Sequence, residues 1–307
     1  MTSRNTNPFE PKVVVHERSQ LGENPLWHPR EHMLYWTDIT GSKLRRYDPA
    51  SGLCTTLYEG ATIGGFTLQA DDSLLLFMAA GAISVLSNGH LYPVIDSLPN
   101  ELDARFNDVI ADPQGRVFCG TISSEKHPGS LYRLDLDGSI TRVVAGVGIS
   151  NGLGFSPDLR LLYYVDTPTR CIDVFNYDNA TGSISNRRTF VNTINEPGSP
   201  DGITVDSAGF VWCAQWGGWT CIRFSPNGTV DQRFDFPARN ITNMTFAGDD
   251  MKTIYFTSAN TPAHTDPIAL ASASPTGGED YGSEAGKIFS IDSDIKGCAE
   301  FRSHILL

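Results

Sequence analysis

Six short apolar runs along the chain each begin with an acidic residue, an asparagine or a glycine. Counting back five or six residues from the turn after each run gives Glu23, Gly65, Asn107, Asn151, Asp201 and Asn243. Carboxylate and amide oxygens are the ligands preferred by hard cations such as Ca²⁺, Mg²⁺ and Mn²⁺. Zn²⁺ and Fe²⁺ stay open, although no His or Cys occupies these positions. The pattern is therefore compatible with a site for a hard cation.

These residue types also have a common structural role. Asn, Asp and Gly occur at strand entries because they form turns and tolerate unusual backbone angles. For any single position, that reading stays open. Six equivalent positions on one axis would bring two carboxylates, Glu23 and Asp201, together with several amides. Such crowding is costly without water or a cation between the groups, which favours a binding site.

The elements that carry these residues repeat along the chain. Each repeat has an apolar run, a turn and a second, more apolar run, as in DGITVDSAGFVWCAQW at 201–216. Successive turn centres, at Pro29, Asp71, Asp112, Pro157, Asp206 and Asp249, are 42, 41, 45, 49 and 43 residues apart. Third and fourth strand-like runs follow most repeats. A period of about 40–50 residues with four short strands is typical of a β-propeller blade.

We therefore predict an all-β fold, a six-bladed β-propeller with four-stranded blades around a central channel. Residues 1–307 would form one domain, with 1–11 as a flexible N-terminal tail. The run KVVVHE at 12–17 is expected to complete the final blade and close the ring. A β-sandwich, the alternative fold, does not explain the nearly constant period.

Composition limits the partners and the compartment. The net charge of −12 argues against nucleic acid and against an anionic membrane as partners. The N-terminus lacks the apolar core of a signal peptide, and the run 74–85 is too short to span a bilayer. The six cysteines are scattered, which predicts free thiols in a reducing compartment. We expect a cytoplasmic protein that is a monomer or a weak homo-oligomer.

Several blocks of sequence, in the right order, match one known family. The blocks include LGENPLW (21–27), RFNDVIADPQGR (105–116), GTISSE (120–125), ISNGLGFSPD (149–158) and PDGITVDSAGFVW (200–212). In these blocks the chain resembles the senescence marker protein/gluconolactonase/luciferin-regenerating enzyme-like family. The resemblance covers roughly residues 15–295. It implies a six-bladed propeller that hydrolyses a sugar lactone with one divalent metal ion in its channel.

The resemblance also implies roles for individual residues. The implied metal ligands are Glu23, Asn151 and Asp201. The implied substrate contacts are Arg105, Asn107 and Glu125, the last of these to sugar hydroxyls. Asp201 would also act as the general base or proton shuttle. The implied product is the open aldonic acid, formed from an aldono-1,4- or 1,5-lactone such as gluconolactone, xylonolactone or arabinonolactone.

Other functions stay open at this point. One is a metal-dependent organophosphate or aryl-ester hydrolase, against which the polar side chains of Asn107 and Glu125 favour a sugar. Another is a non-catalytic propeller that binds calcium or a protein partner. The short loop at 125–130 bears on which lactone ring fits. The segment 261–282, rich in Ala, Ser, Pro and Thr, either shapes the site or only decorates the surface.

Overall fold

The computed structural model describes residues 9–260 and 280–306, and in them the chain forms six antiparallel sheets of four strands each. Blade 1 contains β2 (Gly22–His28), β3 (Met33–Asp38), β4 (Lys43–Asp48) and β5 (Leu53–Glu59). Blade 2 contains β6 (Ile63–Leu68), β7 (Leu74–Met78), β8 (Ile83–Ser87) and β9 (His90–Ile95). Blade 3 contains β10 (Phe106–Ala111), β11 (Val117–Thr121), β12 (Gly129–Leu134) and β13 (Ile140–Val147).

The remaining blades follow in chain order. Blade 4 contains β14 (Ser150–Phe155), β15 (Leu161–Asp166), β16 (Cys171–Asp178) and β17 (Ser183–Asn192), with a 3₁₀ helix, η1 (Thr167–Thr169), after β15. Blade 5 contains β18 (Ser199–Val205), β19 (Val211–Trp216), β20 (Thr220–Phe224) and β21 (Val230–Asp235). Blade 6 contains β22 (Asn240–Ala247), β23 (Thr253–Ala259), β24 (Ile288–Asp292) and β1 (Lys12–Val15).

The ring is closed in two ways. Strand β1 pairs with β24 in antiparallel register, with Lys12 opposite Ser290, so the N-terminal strand completes blade 6. The innermost strand of each blade contacts the innermost strands of both neighbours, from β2 around to β22 and back to β2. The predicted six-bladed, four-stranded propeller is therefore confirmed. The closing strand ends at Val15, two residues before the predicted end at Glu17.

Burial falls from the channel toward the rim. Every residue of the innermost strands β2, β6 and β14 is buried, whereas most residues of the outermost strands β9 and β17 are exposed. The first two strands of each repeat are covered on both faces, which explains their nearly continuous apolar sequences. The outer strands keep one face in water and are accordingly more polar.

The apolar cores lie between neighbouring blades. Between blades 5 and 6, for example, Trp212 stacks on Phe234 with ring centroids 4.8 Å apart, and Phe246 meets Trp212 edge-on at 5.7 Å. Equivalent buried clusters fill the other junctions. Truncating one such aromatic side chain to Ala costs about 3–5 kcal/mol. The blades therefore depend on one another for stability, and this fixes the shape of the channel.

A segment that the repeat pattern does not predict crosses the face of the ring formed by the first-to-second strand turns. Along 293–306, the backbone N–H groups of Gly297, Ser303 and His304 donate to the carbonyl oxygens of Met251, Leu68 and Gly115. The segment thus links blades 6, 2 and 3. Its residues Glu300 and Phe301 line a cavity of about 30 Å³ in the channel. This end of the channel is covered by the chain itself.

Two further sequence expectations concern the cysteines and the membrane. All six cysteines are free thiols, as predicted.

Among residues 9–260 and 280–306, no helix is long and apolar enough to cross a membrane. Most of the segment 261–282 and most of the tail 1–11 lie outside the described residues.

Candidate functional site

All six innermost strands lose their regular register at the same place, where the polar positions lie. The shifts occur between Glu23 and Leu26, Ile63 and Gly65, Phe106 and Val109, Asn151 and Leu153, Pro200 and Ile203, and Ile241 and Asn243. A β-bulge interrupts the alternation of side chains and turns them in new directions. The ring of polar residues is therefore built by a repeated irregularity.

Glycines next to the polar positions allow the strands to approach closely. A Cβ atom on Gly202 would lie 2.2 Å from Cγ of Asn243, and one on Gly152 would lie 2.7 Å from the carbonyl oxygen of Asp201. Neither contact is possible for a residue with a side chain unless its neighbour moves. Glycine after Asn151 and after Asp201 thus lets adjacent blades meet at the channel.

A chain of hydrogen bonds connects three of the predicted site residues. Arg105 donates through Nη1 to Oδ1 of Asn107 at 2.5 Å. Asn107 donates through Nδ2 to Oδ1 of Asn151 at 2.9 Å and to the carbonyl oxygen of Ser150 at 2.8 Å. Both Asn side chains are buried, at 4% and 5% exposure. Residues predicted to bind substrate and residues predicted to bind metal are therefore in direct contact.

The buried carboxylates on the other side of the channel form a second group. The Nδ2 of Asn243 lies 3.2 Å from Oδ2 of Asp108 and also bonds the side chain of Glu23. Burial, and then the negative charge of Asp108, raise the pKa of Glu23 well above its usual value. Burial likewise raises the pKa of Asp108 to about 7, although Arg105 and Asn243 oppose the shift. This group carries more negative charge than its surroundings compensate.

Asp201 lies on β18, in the neighbouring blade to Asn151, and is 2% exposed. Its backbone N–H bonds the thiol of Cys213 on the adjacent strand. Burial raises the pKa of Cys213 above its usual value, the Asp201 N–H lowers it, and the charge of the Asp201 carboxylate raises it again. The carboxylate of Asp201 is therefore held in a buried environment beside a neutral thiol.

The residues present fit a cation. Three carboxylates, those of Glu23, Asp108 and Asp201, are each at most 4% exposed. The positive charge of the partly buried Arg105 lowers the pKa of Glu23 and of Asp108, but less than burial raises it. Buried charges of one sign require a counter-charge. Within 9–260 and 280–306, no cluster of His, Cys, Asp and Glu could hold a metal ion by itself. A ligand set in this channel would need amide oxygens, such as that of Asn151, beside the carboxylates.

Glu125 is exposed and lies in the loop between β11 and β12. The loop starts at the site, because Ile122 donates its N–H to the carbonyl oxygen of Arg105. Glu125 thus lies on a loop that leaves the channel mouth, and its predicted contact with sugar hydroxyls stays a prediction.

Two acidic residues at the ends of second strands have a structural role. Asp38 accepts hydrogen bonds from the backbone N–H groups of Gln20, Leu21 and Gly41 at 3.0–3.1 Å. Asp166 accepts from the backbone of Gly148 and Ile149. Both carboxylates fix the loop that enters the innermost strand of their own blade, and their oxygens are already used by backbone donors.

Sequence reasoning missed Asp108. In a regular strand the residue after Asn107 points to the opposite face, so Asp108 was not expected at the channel. The register shift between Phe106 and Val109 removes this alternation, and Asp108 lies beside Glu23 instead. The signal in the sequence was the pair Asn-Asp within RFND, at a repeat position already recognised as polar.

Comparison with known proteins identifies relatives of this chain. The sequence profile of the SMP-30/Gluconolactonase/LRE-like region matches residues 21–260. The pentonolactonase XacC of Haloferax volcanii is 41% identical over 96% of this chain and 98% of its own. The 6-deoxy-6-sulfogluconolactonase of Pseudomonas putida is 33% identical over 94% and 97%. The structure of a luciferin-regenerating enzyme superposes with a TM-score of 0.85 at 25% identity, covering 95% of this chain and 99% of its own.

Proposed function

The chain belongs to the SMP-30/gluconolactonase/LRE-like family and is a sugar lactonase, and from this premise we propose that it hydrolyses an aldono-1,4- or 1,5-lactone of a five-carbon sugar. The relative with 41% identity over nearly the whole of both chains bears the name pentonolactonase. Gluconolactones are the second candidate substrates, because the relative with 33% identity is named 6-deoxy-6-sulfogluconolactonase.

One divalent cation is proposed to bind between Glu23, Asn151 and Asp201. The observation that carries this proposal is the excess of buried negative charge in the channel, with amide oxygens beside it. Ca²⁺, Mg²⁺ and Mn²⁺ suit an oxygen-only ligand set, and Zn²⁺ and Fe²⁺ are tested beside them. A cation held by these residues would supply Lewis-acid polarisation of the lactone carbonyl.

The protein's own side chains position the substrate and move the proton. The hydrogen bond from Arg105 to Asn107 holds the guanidinium in place, so that it offers the lactone oxygens a donor of fixed direction. The NH₂ group of Asn107 already donates to Asn151 and to the backbone of Ser150, so Asn107 is proposed to contact the substrate while holding Arg105. The carboxylate of Asp201 takes a proton from the attacking water, and the proton then passes to the ring oxygen that leaves. The acyl C–O bond of the ring breaks, and the product is the open aldonic acid. Glu125 is proposed to contact the sugar hydroxyls from its loop.

The experiment measures acid release from D-xylono-1,4-lactone, L-arabinono-1,4-lactone and D-glucono-1,5-lactone, corrected for spontaneous opening. Each assay is run after chelation and again with each of the five cations. Asp201→Asn is expected to lower kcat by about 10²–10⁴-fold, because it removes the general base. The matched control is Asp235→Asn, which makes the same change on the exposed outermost strand of the same blade.

The outcomes separate the open functions. Cation-dependent turnover, lost in Asp201→Asn and kept in Asp235→Asn, supports the lactonase mechanism. Equal rates with and without chelator contradict the metal site. Cation binding without turnover on any of the three lactones would favour a different substrate, and aryl esters and organophosphates are then assayed in the same way. The lactonase names of two relatives argue against a non-catalytic binding propeller.

We also propose that the enzyme is a single domain, a monomer or weak homo-oligomer, and cytoplasmic. The closed ring with its interblade cores supports one domain over residues 1–307. Six free thiols support a reducing compartment. The net charge of −12 supports the absence of nucleic-acid and membrane partners. Light scattering after size-exclusion chromatography tests the oligomeric state, and fractionation of cells tests the compartment.

A further inference from the structure

The hydrogen-bond chain that starts at Arg105 continues beyond Asn151 to a residue to which no role has been assigned. The Nδ2 of Asn151 donates to Oγ1 of Thr167 at 2.9 Å. The hydroxyl of Thr167 in turn donates to the carbonyl oxygen of Pro200 at 2.8 Å. Pro200 directly precedes Asp201. One threonine therefore connects Asn151 of blade 4 with the backbone that carries Asp201 in blade 5.

The chemistry of these groups fixes the direction of every bond. A carbonyl oxygen only accepts, so the Thr167 hydroxyl must give its proton to Pro200. The lone pairs of that hydroxyl are then left to accept, and the group facing it must be the NH₂ end of the Asn151 amide. At the other end, Asn107 donates to the Asn151 oxygen. The amide of Asn151 therefore has one orientation, with its oxygen on the side of Asn107.

Thr167 is itself held firmly. It is the first residue of the 3₁₀ helix η1, and its backbone N–H donates to the carbonyl oxygen of Ile149 at 3.1 Å. Its own carbonyl oxygen accepts from Arg170 at 3.0 Å. The preceding Asp166 binds the backbone N–H groups at the entry to β14. The hydroxyl is thus supplied by a short turn that is tied to the same strand as Asn151.

We propose that Thr167 is a positioning residue, which holds the Asn151 amide with its oxygen available to the cation and sets the spacing between Asn151 and Asp201. This inference rests on the proposed cation site. Without the hydroxyl, the Asn151 amide loses its fixed acceptor and rotates more freely. The cation then has to order it on binding, and affinity falls. Groups that orient metal ligands typically change metal affinity by about 10–100-fold when they are removed.

The test compares Thr167→Val, which keeps the shape and removes the hydroxyl, with Thr167→Ser, which keeps the hydroxyl. The matched control is Thr193→Val. Thr193 is fully buried and its Oγ1 donates to the carbonyl oxygen of Arg170 at 2.8 Å, so the control loses the same kind of bond without touching Asn151. Metal-free protein of each variant is titrated calorimetrically with Mn²⁺ and with Ca²⁺, and its thermal unfolding is recorded. Asn151→Ala serves as the reference for loss of the ligand.

We expect Thr167→Val to weaken cation binding by about 10–100-fold, Thr167→Ser to stay within about threefold of wild type, and Thr193→Val to leave the Kd unchanged. At saturating cation, kcat of Thr167→Val should recover more than kcat of Asn151→Ala, because the ligand itself is still present. A purely structural role for the hydroxyl would lower the Tm of Thr167→Val and of Thr193→Val alike and leave both cation affinities intact.

Failure of this inference is distinct from failure of the cation site. If Asn151→Ala weakens binding while Thr167→Val binds like wild type, the role of Thr167 is wrong and the site stands. If Thr167→Ser is as weak as Thr167→Val, the hydroxyl is not the group that matters, and the inference is overturned. If the wild-type protein binds neither cation, the proposed site and the role of Thr167 fail together.

Discussion

Two sets of buried carboxylates occupy opposite ends of the innermost strands, and their surroundings differ. At the turns that follow the innermost strands, Asp206 accepts hydrogen bonds from Nη2 of Arg223 at 2.7 Å and from Nε1 of Trp212 at 3.1 Å. It also accepts from the backbone N–H groups of Ala208 and Phe210, both at 3.0 Å. Asp112 is similarly surrounded, by Arg116, Tyr177 and backbone donors. At the channel mouth, Glu23 and Asp108 share the amide of Asn243.

The difference separates stability from function within one repeat. A buried carboxylate that is surrounded by donors and an Arg contributes to folding, and nothing is left for a ligand. Buried carboxylates with too few hydrogen-bond donors and counter-charges lower the stability of the folded state until they bind a cation or a proton. Both sets were visible in the sequence as acidic residues at repeated positions. Only their neighbours in space decide which set is structural and which is a site.

The largest effect is expected at the structural end. Asp206→Ala removes the fully buried partner of Arg223, which is 9% exposed and is left with only the partly exposed Asp231. It also leaves Nε1 of Trp212 without its acceptor. The free energy of unfolding should fall by about 3–5 kcal/mol, because a buried ion pair is broken and buried donors lose their acceptor. Urea denaturation followed by tryptophan fluorescence measures the change. At temperatures where the variant is folded, kcat should equal that of wild type.

The double variant Asp206→Ala/Arg223→Met is the control for this prediction. It removes both charges and should recover part of the lost stability. A loss below about 1 kcal/mol in the single variant, or a loss of kcat in the folded protein, would show that the turn carboxylates are not the purely structural set described here.

A second effect is expected at the channel end, and it has the opposite sign. Burial raises the pKa of Asp108 from its ordinary value of 3.8 to about 7 in the folded metal-free protein. Between these values the folded state binds the proton that the unfolded state releases, so acidification stabilises the protein. The stability conferred by protonated Asp108 is complete below about pH 4 and is lost as the pH rises through 7, with a slope of at most about 1.4 kcal/mol per pH unit.

The measurement compares wild type with Asp108→Asn, both after chelation, by urea denaturation from pH 4.5 to 7.5. Only wild type should show this contribution, and the difference between the two curves isolates it from other titrating groups. If the two curves for position 108 run parallel, the channel carboxylate is as well compensated as the turn carboxylate, and the contrast between the two sets fails.

The fold was predictable because its signal is local and repeated. Each blade carries its own turn and its own apolar runs, and the repeat is visible in the sequence from the regular spacing of turn residues such as Asp71 and Asp112. The C-terminal segment was not predictable in this way. Its contacts, such as His304 with Gly115, join residues far apart in the chain and follow no period.

The candidate site was predictable to the extent that it follows the repeat. Asn107, Asn151 and Asp201 occupy the same position in three blades, and the structure brings the first two into contact. Asp108 was missed because a bulge overrides the strand alternation from which side-chain direction is inferred. Thr167 was missed because it lies on a neighbouring turn at a distance of sixteen residues from Asn151, where no motif of consecutive residues marks it.

The most direct test of the account is a calorimetric titration of the metal-free protein with Ca²⁺ and Mn²⁺, for wild type and for Glu23→Gln. The substitution keeps the size of the side chain and removes one of the buried charges. We predict one cation per chain in wild type and a loss of affinity of at least about 100-fold in Glu23→Gln, with lactone hydrolysis falling in parallel. Equal affinity in the two proteins, or no cation bound by wild type, would contradict a metal site in the channel.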